Sequence, residues 1–165
     1  MRCALGVAVV LLALCHPLST AEGGDRPGLM LNLTFPDRLA VGRAIELALA
    51  RLDRPGCSRI FEDFTLPDGR TLRSELDRLG TEPEALVRSL VFVDGGWDPV
   101  CRNGRAVLTT TPGSRVIRVC PGFSRLRDAG LTACLVLHES LHALGLGENP
   151  PSSAEITQHV DRRCS

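Results

Sequence analysis

Residues 129–148 read AGLTACLVLHESLHALGLGE, and this stretch constrains the rest of the chain. Between Leu131 and Leu144 neither Gly nor Pro interrupts an apolar run. The spacing predicts a buried helix, broken by Gly145 and Gly147. A polar group on a buried helix needs a partner, and His138, Glu139 and His142 fall within five positions of this one. Four residues turn a helix through about 400°, so His138 and His142 leave one face a turn apart. Two imidazoles so placed bind one metal ion while the helix stays straight. Glu139 lies about 100° round, within reach of a water on that ion. A metal draws the pKa of such a water towards ~7, and a neighbouring glutamate takes its proton during attack.

The chain has 165 residues, enough for one domain with a real core. Lys+Arg and Asp+Glu are both 19, so no net field draws it to nucleic acid or to acidic membranes. Every basic residue is Arg, and the arginines are scattered rather than clustered; no nucleic-acid partner is expected. Arg2, the apolar CALGVAVVLLALC and the small residues Ser19 and Ala21 read as a secretory signal over residues 1–21. The mature chain is then a single domain over 22–165, secreted or periplasmic, with no stable membrane association once the signal is removed.

Export sets the redox compartment. Without Cys3 and Cys15, five cysteines remain: Cys57, Cys101, Cys120, Cys134 and Cys164. In an oxidising compartment they form up to two disulfides. Cys134 lies in the apolar helical run and is expected to be the buried free thiol. Spacing does not fix the connectivity; the working pairing is Cys57–Cys101 and Cys120–Cys164.

Around this centre the chain reads as α+β. Residues 22–35 form a lead-in with a short extended piece. Asp37 is placed to cap a helix over 38–52, and two short helices follow over 71–79 and 83–90. LVFVDGG (90–96) reads as a strand, and RAVLTTTPGSRVIRVC (105–120) as two strands joined by a Pro-Gly turn. Ser152 can cap a last helix ending at Cys164. Trp97, the sole tryptophan, is expected to pack beside a disulfide. The architecture expected is a small domain with a short twisted sheet, a buried helix carrying the HExxH residues and a C-terminal helix.

His138-Glu139-x-x-His142-x-x-Gly145-x-x-Glu148 resembles the extended motif of the metzincin-type zincins, secreted metallopeptidases built on an HExxH helix. The match spans about eleven residues. It departs from the family at two points: Glu148 stands where metzincins carry His or Asp, and the only methionines, Met1 and Met30, lie upstream, so the Met-containing turn is missing. Glutamate is a competent zinc ligand. A second resemblance, to the gluzincins and aspzincins, makes Glu155 the alternative third ligand, although Ser152-x-x-Glu155 is also a capping box. The resemblance implies zinc held by His138, His142 and Glu148 (or Glu155), with Glu139 as the catalytic base. With no tyrosine in the chain, His159 is the candidate transition-state donor. In such folds an edge strand above the cleft pairs with extended peptide, and SRVIRVC (114–120) is the candidate.

The function implied is a monomeric secreted zinc peptidase acting on peptide or protein substrates. The alternative is a non-catalytic exported domain that binds metal or a partner on a similar scaffold. A third reading, a disulfide-stapled module in which HExxH is accidental, requires that no zinc bind.

Overall fold

The structure is a computed structural model and describes residues 28–165; residues 1–21, read above as a secretory signal, and the start of the lead-in lie outside these residues. The fold is α+β: among the described residues, seven helices surround one four-stranded sheet.

Strand β1 (Leu29–Leu31) leads into α1 (Phe35–Leu52). The helix starts a turn earlier than Asp37 suggests, because the Thr34 hydroxyl accepts the Asp37 N–H and Pro36 suits a first helical turn. Val41, Ala44, Ile45, Ala48, Leu49 and Leu52 recur at the helical period and are all buried. Two short helices, α2 (Pro55–Ser58) and α3 (Leu72–Leu79), bracket a turn at Asp68-Gly69. Helix α4 (Pro83–Arg88) follows Glu82, with Pro83 in its first turn. It delivers the chain to β2 (Val91–Asp94). A one-turn helix, α5 (Pro99–Arg102), precedes the hairpin of β3 (Leu108–Thr110) and β4 (Val116–Val119). Last come α6 (Ala129–Ala143) and α7 (Ser153–Cys164).

The sheet order is β1-β2-β4-β3. Strands β1, β2 and β4 are parallel, in register Leu29↔Val91 and Val91↔Val116, while β3 runs antiparallel to β4 with Leu108↔Val119. The strand expected at the cleft edge, within 114–120, is therefore interior. The edge on that side of the sheet is β3, which pairs only with β4. Alternation along the strands puts Phe92, Ile117, Val119 and Leu108 into the core. Helix α6 crosses that core against α1, and within Thr132–Ala143 every residue except Leu135 is buried.

The disulfides are Cys57–Cys164 and Cys101–Cys120, not the pairs Cys57–Cys101 and Cys120–Cys164. The hairpin supplies one reason. Its antiparallel register brings the residues before β3 and after β4 side by side, and the Cys120 N–H donates to Val107 O at 3.0 Å. The other is that α7 returns across α2, so Cys164 meets Cys57 with Cα atoms 4.5 Å apart. Gly95 makes room for the Cys101–Cys120 bridge. A Cβ there would stand 2.7 Å from Cys101 Sγ and 3.1 Å from Val119 O, so only glycine allows the approach. Among the described residues Cys134 has no disulfide partner, and it is buried. Trp97 is 64% exposed, with the Arg118 guanidinium 5.6 Å from its ring, rather than packed against a disulfide.

Candidate metal centre

Helix α6 holds His138 and His142 a turn apart, and their rings meet edge to face with centroids 4.7 Å apart. What aims them is the opposite nitrogen of each ring. His142 Nδ1 lies 2.6 Å from the carbonyl oxygen of Leu146. A carbonyl only accepts, so Nδ1 carries the proton and Nε2 keeps its lone pair. His138 Nδ1 lies 2.9 Å from the Thr157 hydroxyl of α7. Both Nε2 atoms consequently face one point, 2.9 Å apart.

The Leu146 carbonyl reaches His142 because α6 ends in a left-handed turn. The N–H of Gly145 (φ +105°) donates to His142 O at 2.8 Å, and that of Leu146 to Leu141 O at 3.2 Å. This is a Schellman cap, for which glycine suits the left-handed position. The hairpin turn closes on the same place, since the Gly113 N–H also donates to His142 O, at 2.8 Å. The reversal brings Glu148 back to the histidines: its Oε1 stands 3.3 Å from His142 Nε2 and 3.9 Å from His138 Nε2.

His138, His142 and Glu148 thus form one cluster with ligand atoms within 4.8 Å of one another. Two imidazoles and a carboxylate are a zinc donor set, and ligand atoms about 2.0 Å from a tetrahedral ion stand about 3.3 Å apart. The observed 2.9, 3.3 and 3.9 Å bracket that value, so the residues fit the ion. Glu155 is elsewhere: its Oε2 accepts from the Ser152 N–H at 2.8 Å and the Ser152 hydroxyl at 2.7 Å, completing the capping box. His159 is also outside the cluster, bound to Asp63 Oδ2 at 2.7 Å and edge-on to Phe64.

Glu139 is 4% exposed, and its Oε2 has no hydrogen-bond partner among the described residues. The Thr110 hydroxyl of β3 donates to Val116 O at 3.3 Å and lies close enough to the Glu139 carboxylate to favour its charged form. Burial pushes the Glu139 pKa up to about 8, with Thr110 opposing and the Glu148 charge adding. Burial, then the neighbouring His142, brings His138 down to about 3, the state in which an imidazole offers a lone pair.

These groups line a cleft of about 490 Å³. Leu108, Thr109, Thr110 and Pro112 form its wall along β3, and Val100, Arg105 and Ala106 its far end. Thr157 and Thr110 have no signature in the sequence; each meets its partner only through the tertiary fold. A larger hollow of about 850 Å³ lies between the end of α1, the start of α6 and α7. Its charged groups are committed within the protein: Arg51 donates to Gly130 O, Asp128 caps α6 and Asp161 accepts from Ser165. Cys134 lines it, with burial pushing the thiol up to about 11. The smaller cleft is the one where donors converge.

The chain matches no protein-family model, no curated protein and no solved structure.

Proposed function

We propose that this protein is an exported zinc-dependent peptidase, with zinc held by His138, His142 and Glu148. The observation carrying the reading is the buried Glu139 Oε2, without a partner, beside three convergent metal-ligand atoms. A metal site that served stability alone has no use for such a carboxylate, whose burial costs free energy. Bound zinc would polarise the scissile carbonyl and make an attacking water acidic.

The chain's own residues supply the rest. Thr157 and the Leu146 carbonyl orient the two imidazoles. With the charge of a bound metal beside it offsetting the effect of burial, Glu139 would be ionised, take a proton at Oε2 from the attacking water and pass it to the leaving amine. Register along β3 supports a peptide substrate. Val107 O pairs with Cys120 N, so Leu108 and Thr110 direct their backbone N–H and C=O away from β4, free to pair with an extended chain. Two disulfides suit an oxidising, exported setting. Among the described residues no helix is long and apolar enough to cross a membrane.

The test is hydrolysis of casein and mixed peptides by the zinc-loaded chain and by Glu139→Gln. The variant should keep its zinc and lose activity by roughly a hundredfold or more. Full activity in Glu139→Gln, or no hydrolysis by the zinc-loaded wild type, contradicts the reading.

A further inference from the structure

The cleft has one guanidinium among its lining residues, Arg105, at the end remote from the hairpin turn. No hydrogen bond or ion pair joins it to another residue within the described chain. The nearest acid in sequence, Asp98, is already engaged: Oδ1 caps α5 through the Val100 N–H at 2.8 Å, and Oδ2 stands 3.3 Å from Arg118. An exposed arginine without a partner is ordinary on a surface. This one differs in its mounting. The Cys101–Cys120 disulfide closes the segment that carries it, the Gly104 N–H donates to Cys101 O at 3.2 Å, and the Cys120 N–H binds Val107 O. The chain is thus anchored on both sides of Arg105, upstream at Cys101 by the disulfide to Cys120 and downstream at Val107 by its bond to Cys120 N–H.

Beside it, Val100 and Ala106 add apolar lining to that end of the cleft. A guanidinium held at the rim of an apolar strip matches a carboxylate at the end of a short aliphatic stem. We propose that Arg105 receives a substrate carboxylate a few residues from the cleaved bond, so that the substrates are acidic peptides. This rests on the peptidase reading. Thr110 stands against Glu139 and Arg105 lies five positions upstream. Strand rise is about 3.3 Å per residue and the arginine side chain can reach back towards the centre, so the carboxylate falls about two to four residues from the reacting carbonyl. It can come from an Asp or Glu side chain or from the peptide's own C-terminus.

The experiment uses the zinc-loaded full mature chain on peptide libraries capped at both ends, with cut sites read by mass spectrometry. A parallel set has free C-termini. Wild type should favour Glu or Asp over Gln or Asn at one position, by about three- to tenfold in kcat/KM. Arg105→Ala should abolish that preference, and Arg105→Glu should replace it with one for Lys or Arg. An effect confined to the free-terminus set assigns the carboxylate to the chain end, and one in the capped set assigns it to a side chain. Calorimetric titration of a preferred peptide and its Gln counterpart into zinc-loaded Glu139→Gln should give the same ratio in Kd, without turnover. Cleavage with no acidic preference, or a preference that survives Arg105→Ala, overturns the inference and leaves the peptidase reading standing. No cleavage at all overturns both.

Discussion

Replacing the Thr157 hydroxyl with a methyl group keeps the side chain's volume and removes the partner of His138 Nδ1. The ring is then free to turn or to move its proton to Nε2, where it blocks a metal. Outer partners of this kind are worth about 10–100-fold in metal affinity. Thr157→Val should therefore weaken zinc binding about tenfold in competition with a chelator, with the fold intact by circular dichroism. Unchanged affinity would mean that Thr157 does not position the ring. His138 and His142 were legible in the sequence because a helix brings positions i and i+4 together whatever surrounds it. Thr157 was not: it lies nineteen residues beyond His138, and only the packing of α7 on α6 makes them neighbours.

At the scale of elements, the cap of α6 couples fold to site. Gly145 at φ +105° permits the reversal that returns Glu148 to the histidines. Gly145→Ala places a side chain in left-handed backbone, at a cost of about 1–2 kcal/mol. It should lower the melting temperature and weaken zinc binding together; a change in neither would contradict this account of the turn. Helix α3 carries the clearest pH dependence. The Arg78 guanidinium, opposed by burial and joined by Arg70, brings the Glu75 pKa down from 4.5 to about 2. Its contribution to stability is present above about pH 4.5 and fades as pH falls towards 2. Glu75→Gln should cost on the order of 1–2 kcal/mol at pH 7. Denaturant melts should show the gap closing through that acid range, and a gap independent of pH would refute it. Helices α1, α6 and α7 were readable because apolar period and caps are local. Strand order was not, since β1 pairs in parallel with β2 across some sixty residues, and nothing in a strand's composition says whether it lies inside or at an edge. The disulfides illustrate both cases: Cys101 and Cys120 flank a hairpin that could have been used to pair them, whereas Cys57–Cys164 depends on where α7 docks.

Across the whole molecule, the parts that build the cleft come from distant stretches and are tied at their ends. Helix α7, which brings Thr157 to His138, begins in the Ser152–Glu155 box and ends in the Cys57–Cys164 disulfide. Asp63 holds it near that end through both Arg163 contacts and His159. The β3–β4 hairpin is closed by Cys101–Cys120 and rests its turn on the His142 carbonyl. The two disulfides thus pin the two elements that meet at α6 and keep the ligand atoms converged. That arrangement leads to the central claim, a single zinc held by His138, His142 and Glu148. The direct measurement is zinc per chain in the purified, oxidised protein, beside Glu148→Ala and Glu155→Ala. One zinc per chain in the wild type and in Glu155→Ala, with loss in Glu148→Ala, is the expected result. No zinc above background in the wild type, or loss in Glu155→Ala while Glu148→Ala keeps its metal, would contradict it.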